Sequence, residues 1–174
     1  MSINIRQSIF ETNSSSMHSI AIKKEHHKIK PGEEQEDFFF YEGKVRVSYS
    51  DICFGRTPFR CLATLFTKSL YVIAEDYNNR EEVYSIIRKF YPDFIEFDYQ
   101  FSRSGYPDIG LIEESCNVYG FIKRHNITLE DFLTDNAYVI FVDGDEYCVL
   151  NNMIRHGIIK KENFEEIEYE DTIY

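Results

Sequence analysis

The sequence contains no tryptophan and little glycine or proline, with 8 Gly and 4 Pro among 174 residues. Scarce Gly and Pro argue against long flexible linkers. A hydrophobic content of 43% and an aromatic content of 16% argue against intrinsic disorder, which is typical of chains with few aromatic residues. The length suits one domain, so we expect a single domain over residues 1–174.

Sequence patterns typical of metal sites, membrane spans and signal peptides are also missing. The four cysteines, at positions 53, 61, 116 and 148, form no C-x-x-C pair and match no common zinc spacing. No run approaches the roughly 18 apolar residues of a membrane span. The opening residues MSINIRQSIF lack the layout of a signal peptide. We therefore expect a cytoplasmic protein with free thiols and with no membrane contact, metal or cofactor.

Positive charge is in short supply: 19 Lys and Arg stand against 30 Asp and Glu, for a net charge of −11. Nucleic-acid backbones are bound through Lys and Arg, so this balance argues against direct nucleic-acid binding. It favours a partner protein with a basic surface, because opposite charges speed encounter. Residues 1–30 are the exception, with five basic and two acidic side chains.

Alternation of apolar and polar residues predicts the strands. They are residues 3–10, Ser19–Ile22, a hairpin of Phe38–Tyr41 and Lys44–Tyr49 around Glu42-Gly43, Phe94–Phe101, and a hairpin around Asp143-Gly144. In Phe94–Phe101, strict alternation places Ile95, Phe97 and Tyr99 on one face.

Apolar residues at helical spacing, together with capping residues, predict the helices. They are Pro58–Ala74 capped by Thr57, a helix from Asn78 or Asn79 to Pro92, Ile109–Arg124, and a short helix capped by Thr128. Residues 23–37 are predicted to form an exposed charged loop, and residues 162–174 an acidic tail or edge strand. These elements predict an α+β fold, a mostly antiparallel sheet with about three helices packed on one face.

The densest cluster of polar side chains is ETNSSSMHS, Glu11 to Ser19. Amides and hydroxyls of such a run can surround an anion, and a histidine can act as a general base or as a cation toward phosphate. The candidate phosphate- or nucleotide-binding residues are Arg6, Asn13, Ser14, Ser15, Ser16 and His18. A polar turn explains the same composition, because Asn and Ser side chains bond their own backbone. The sequence leaves both readings open.

The stretch RQSIFETNSSSMHS, Arg6 to Ser19, resembles the opening of a group of small uncharacterised phage and prophage proteins of Gram-positive bacteria. The shared pattern is an Arg, then Phe-Glu-Thr-Asn-Ser-Ser-Ser, one variable residue (here Met17) and His-Ser. FGRTPF (Phe54–Phe59) and GDEY (Gly144–Tyr147) extend the resemblance more weakly. The group has no established activity, so the resemblance implies a phage setting and no mechanism.

Acidic side chains interleaved with aromatic ones suggest a protein-binding surface, because aromatic residues often anchor interfaces. The candidate partner-binding residues are Glu33, Glu34, Glu36, Asp37, Glu165, Glu166, Glu168, Tyr169 and Glu170.

Two hypotheses follow. The first is a non-enzymatic phage-encoded anti-defence inhibitor, similar in action to an anti-CRISPR protein, that binds a basic nucleic-acid-handling host protein. The second is a nucleotide- or phosphate-binding module, or a phosphoryl-handling enzyme, built on Asn13–Ser16, His18 and Arg6, with a small nucleotide as its ligand. No G-x-x-x-x-G-K-[ST], G-x-G-x-x-G or G-x-S-x-G motif is present.

Overall fold

The computed structural model describes residues 18–33, 38–47, 60–99, 117–142, 153–157 and 159–169, with no account of the side chains of His18, Arg60, Val142 and Ile167–Tyr169. The strands are β1 His18–Lys23, β2 Phe39–Tyr41, β3 Lys44–Val47, β4 Arg60–Leu62, β5 Glu96–Tyr99, β6 Tyr138–Val142 and β7 Phe164–Tyr169. The α-helices are α1 Leu65–Glu75, α2 Arg80–Phe90, α3 Val118–His125 and α4 Leu129–Thr134. Short 3₁₀ turns cover Tyr77–Asn79 and Lys161–Asn163.

The described strands form two sheets. The four-stranded sheet has the order β4-β6-β1-β7, and every neighbouring pair in it is antiparallel. The three-stranded sheet has the order β2-β3-β5, with β2 antiparallel and β5 parallel to β3. The α+β class and the mostly antiparallel pairing are therefore confirmed. Residues 3–10 and 109–116 and the turn at Asp143-Gly144 lie outside the described residues.

Local capping signals define two helix starts. Thr64 and Thr67 form a capping box at α1, and Thr128 and Asp131 form another at α4, so each pair satisfies backbone N–H groups in the first turn. The predicted cap at Thr128 is confirmed. The helix predicted between Asn78 or Asn79 and Pro92 is confirmed as Arg80–Phe90, and it buries Val83, Ile86 and Ile87. The predicted asparagine cap is not found, because Asn79 makes no capping hydrogen bond with its side chain.

Three predictions were wrong in part. The helix predicted for Ile109–Arg124 does not run through Asn117, because this residue has a left-handed φ of 47° and α3 begins at Val118. The helix predicted to span Pro58–Ala74 begins only at Leu65, because Arg60–Leu62 instead pairs with β6 as strand β4. The predicted alternation from Phe94 also fails at its start. Phe94 is buried while Ile95 is 53% exposed, because the strand begins at Glu96 and Ile95 lies beside the Gly43 turn.

The main core joins both sheets to the helices. Ile20, Ile140 and Leu62 come from one face of the four-stranded sheet, and Val45 and Phe97 from one face of the other. A second, smaller cluster on the opposite face of the four-stranded sheet contains Ala21, Val139 and Phe141. No helix in the described segments combines the length and the apolar character that spanning a bilayer requires.

Candidate functional site

The Ser-rich motif ends where β1 begins. His18 is the first residue of β1, and its backbone pairs with Val142, which in turn pairs with Arg60. The chain segments before His18, before Arg60 and after Val142 therefore all join the same end of the four-stranded sheet. Those segments contain the three parts of the phage-protein resemblance. Arg6 and Asn13–Ser16 lie outside the described residues.

The predicted charged loop is exposed in most of its described side chains, but its backbone is bound to the protein. The Lys23 N–H donates to Ala137 O, the Ile29 N–H donates to Thr134 O, and the Asn136 N–H donates to His27 O. At the far end of the segment, the Gly32 N–H donates to Phe90 O, at the end of α2. Residues 24–33 are therefore fixed along α4, the turn that follows it and the end of α2.

Side-chain contacts with carboxylates reinforce this attachment. His26 Nδ1 lies 2.9 Å from the buried carboxylate of Asp135, and Lys28 Nζ lies 2.5 Å from Asp131. Burial would raise the pKa of Asp135, but the Ala137 N–H, His26 and the charge of Lys68 together lower it. Hydrogen bonds, from Lys28 first and then from Thr128, lower the pKa of Asp131 to about 2.

Glu33 is bound within the protein. Its Oε1 lies 2.8 Å from His27 Nε2, and its Oε2 accepts the Lys30 N–H at 2.9 Å. These hydrogen bonds, that of His27 first, lower the pKa of Glu33. The other three acidic candidates of this cluster, Glu34, Glu36 and Asp37, lie outside the described residues.

Lys68 is fully buried on α1, among side chains most of which are apolar. Sequence reasoning did not single it out. Its Nζ donates to the carbonyl oxygens of Phe132, Asp135 and Tyr138 at 2.6, 2.7 and 3.1 Å. Burial lowers its pKa to about 7, against the opposing charge of Asp135. Since all three ammonium hydrogens meet carbonyls and the side chain has no access to solvent, Lys68 stabilises the end of α4 and is no candidate for catalysis.

The acidic C-terminal candidates lie on β7, the outer strand of the described four-stranded sheet. Glu165 and Glu166 are exposed, and Glu166 Oε1 lies 3.8 Å from His125 Nε2. Glu168 and Tyr169 belong to β7 by their backbone pairing with Ile20 and Ser19, and Glu170 lies outside the described residues.

The outward face of the three-stranded sheet carries two rows of aligned side chains. Phe39, Arg46 and Asp98 form one row, and Tyr41, Lys44 and Glu96 form the other. We call these six residues the β2–β3–β5 face. The opposite side of the same strands is apolar, and Val45, Val47 and Phe97 are buried there.

The side chains of the β2–β3–β5 face contact one another. The Arg46 guanidinium lies 5.2 Å from the Phe39 ring centre and 5.0 Å from that of Tyr41. Lys44 Nζ lies 2.6 Å from Glu96 Oε1, and the Tyr41 hydroxyl donates to Asp98. These hydrogen bonds to carboxylates raise the pKa of Lys44 and of Tyr41.

Sequence reasoning predicted the hairpin and named its acidic flank, but not this face. Its pairing depends on β5, which lies about fifty residues further along the chain than β3. Among the described residues, no group of three or more His, Cys, Asp or Glu side chains is placed to hold a metal ion.

Comparison with known proteins finds no family model that matches the chain, and no significant match among curated proteins or solved structures.

Proposed function

We propose that this chain is a non-enzymatic, phage-encoded accessory protein of the bacterial cytoplasm that inhibits a basic, nucleic-acid-handling host protein, as part of a counter-defence. The observation that carries the proposal is the position of its exposed apolar residues. Within the described residues, the large hydrophobic side chains that stand exposed are Phe39, Phe40 and Ile95. Phe39 and Phe40 lie on β2, shortly after the acidic run of residues 33–37 in the sequence, and Ile95 directly precedes β5.

Aromatic anchors rimmed by charge are typical of protein interfaces. The net charge of −11 selects a partner of the opposite sign and disfavours nucleic acid. A surface of this kind can occupy a groove that another protein uses for nucleic acid.

The test is a pull-down of the tagged chain from a nuclease-treated lysate of a Gram-positive bacterium, at low and at high salt. We expect a near-stoichiometric basic protein that is lost at high salt, since screening weakens exposed charge pairs. His18→Ala, the matched variant at the Ser-rich motif, should recover the same partner. An eluate with no basic protein enriched over bare beads contradicts the proposal.

A second candidate function rests on a separate observation, the single row formed by Arg60, Val142 and His18 across the end of the four-stranded sheet. In this row, Arg60 lies two strands from His18, which is one of the residues that the sequence suggests for phosphate or nucleotide binding. Under this alternative, a nucleotide bound to Arg6, Asn13–Ser16 and His18 raises the melting temperature at fixed salt. His18→Ala should then abolish the increase.

A further inference from the structure

The outer strands of the two described sheets differ in how their edges are protected. Proteins usually protect such edges with charged side chains, proline or a bulge, because an open edge can pair with another chain. β4 contains an arginine, β5 two acidic residues and β7 three glutamates. β2 has the sequence Phe39-Phe40-Tyr41 and contains no charged residue. It is therefore the least protected of the described edges.

Aromatic side chains are exposed on both faces of β2. Phe39 belongs to the β2–β3–β5 face and is 60% exposed, even with the Arg46 guanidinium 5.2 Å from its ring centre. Phe40 is 42% exposed on the opposite side, where its ring approaches Tyr91. A ligand that lies on one face of the sheet covers only one of these two rings. A strand added at the edge covers both, because its own side chains alternate between the two faces.

The turn at the end of β2 determines which backbone groups point outward. Glu42 and Gly43 have φ values of 46° and 78°, and a type I′ turn requires such positive values at both central residues. This turn closes a hydrogen-bonded pair, here Tyr41 and Lys44. Because pairs alternate along an antiparallel ladder, Phe40 and its partner on β3 form a non-hydrogen-bonded pair. The N–H and C=O of Phe40 therefore point away from β3, toward a side where no described strand lies.

We infer that an extended segment of the partner protein adds to β2 as a further strand, hydrogen-bonded to the backbone of Phe40 and with apolar side chains against the rings of Phe39 and Phe40. This inference rests on the proposed function and specifies its mode of contact. Strand addition takes its affinity from main-chain hydrogen bonds and its specificity from the side chains on each face. A second copy of the chain is the disfavoured occupant, because two chains that each carry a net charge of −11 repel each other.

The test uses the capped peptide Lys-Lys-Val-Val-Val-Lys-Lys as the probe and follows amide hydrogen exchange of the whole chain. The control peptide has the same sequence and charge but carries N-methyl groups on its valine amides, so it cannot complete a ladder. We expect slower exchange of the Phe40 amide with the unmodified peptide only, and no change in Phe164–Tyr169. Equal binding of the two peptides, protection of Phe164–Tyr169 alone, or no binding at millimolar peptide overturns the inference.

Two variants separate the contribution of the backbone from that of the ring. Phe40→Pro removes the outward N–H, and proline is tolerated on an edge strand where the N–H faces away from the sheet. We expect it to abolish peptide binding. Phe40→Ala keeps the N–H and should raise the Kd about two- to fivefold, the range of one cross-strand side-chain pair. Equal binding by the two variants overturns the inference.

Phe39→Pro is the folding control. It removes an N–H at a position that pairs with Arg46 on β3, so its melting temperature should fall well below that of Phe40→Pro. Equal melting temperatures of the two proline variants would contradict the outward direction of the Phe40 N–H.

The lysate pull-down distinguishes failure of this inference from failure of the proposed function. Equal capture of a basic protein by wild type and by Phe40→Pro overturns strand addition and leaves the proposed function. Peptide binding at Phe40 without capture of any basic protein supports the open edge and overturns the proposed function. A concentration-dependent dimer that is lost in Phe40→Pro assigns the edge to a second copy and overturns the inference.

Discussion

Lys68 places a titratable group inside the core, where its three hydrogen bonds hold the last turn of α4 and the start of β6 together. Its side chain lies 5.4 Å from the Phe132 ring centre, so the surroundings combine carbonyl oxygens with an aromatic face. Burial lowers its pKa from 10.5 to about 7. The folded protein therefore holds this proton less tightly than the unfolded chain does.

We expect the free energy of unfolding to rise with pH between about 7 and 10.5 through this group, because the unfolded lysine keeps a proton that the folded one has released. The slope due to Lys68 can reach about 1.4 kcal/mol per pH unit, the limit for one proton. Urea unfolding at several pH values, compared with Lys68→Met, isolates it from other groups. Parallel curves for the two proteins would show that the assigned pKa is wrong.

Gly43 is a second position where one residue decides local structure. Gly32 and Gly43 share a φ of 78°, but an added Cβ at Gly43 would lie 2.5 Å from Asp93 O, whereas at Gly32 it would meet nothing within 4 Å. We expect Gly32→Ala to lower the free energy of unfolding by roughly 1 kcal/mol, from backbone strain alone. Gly43→Ala should lower the free energy of unfolding clearly more, by about 2–3 kcal/mol, because the Asp93–Ile95 backbone that leads into β5 must also shift. Thermal unfolding of both variants measures the difference, and equal losses would contradict the close contact.

At the scale of elements, the 24–33 segment links the end of β1 to α2 through α4. Three carboxylates within this segment or bound to it have lowered pKa values: the pKa of Glu33 and of Asp135 is lowered, and that of Asp131 falls to about 2. A group with a lowered folded pKa stabilises the protein above its unfolded pKa. That contribution disappears as the pH falls through the folded value.

Stability should therefore decrease progressively between about pH 4 and pH 2. Asp131→Asn should show a shallower decrease, since its contact with Lys28 no longer titrates. Asp93→Asn, the same chemical change at an exposed turn, should follow the wild type. Melting temperatures across this range provide the measurement. An unchanged slope in Asp131→Asn would mean that the contacts of Asp131 with Lys28 and Thr128 contribute nothing to the acid dependence.

Elements whose signals are local were predictable from sequence. The hairpin turn at Glu42-Gly43 and the cap at Thr128 depend on residues within a few positions of each other. Strand β4 was not predictable in this way, because Thr57-Pro58 resembles a helix start and the pairing that makes Arg60–Leu62 a strand involves β6, eighty residues later. The attachment of His26 to Asp135, 109 residues away, was equally beyond any local pattern.

At the scale of the whole molecule, the two sheets give the two functional hypotheses separate locations. The Ser-rich motif leads into one end of the four-stranded sheet, and the exposed aromatic residues lie on β2 of the three-stranded sheet. Composition predicts an acidic partner-binding surface, and its described residues divide between Glu33 and the β7 residues Glu165 to Tyr169. Basic neighbours of β7 come from α3, which sequence distance conceals.

The central claim is that a basic partner binds this acidic chain at the exposed aromatic residues of β2. The most direct measurement is the association rate of the captured partner as a function of ionic strength, for wild type and for Glu42→Asn. We predict a rate that falls steeply with salt, and a shallower dependence in the variant, because one attractive charge is gone. A rate that is independent of salt, or identical slopes for the two proteins, would contradict the account.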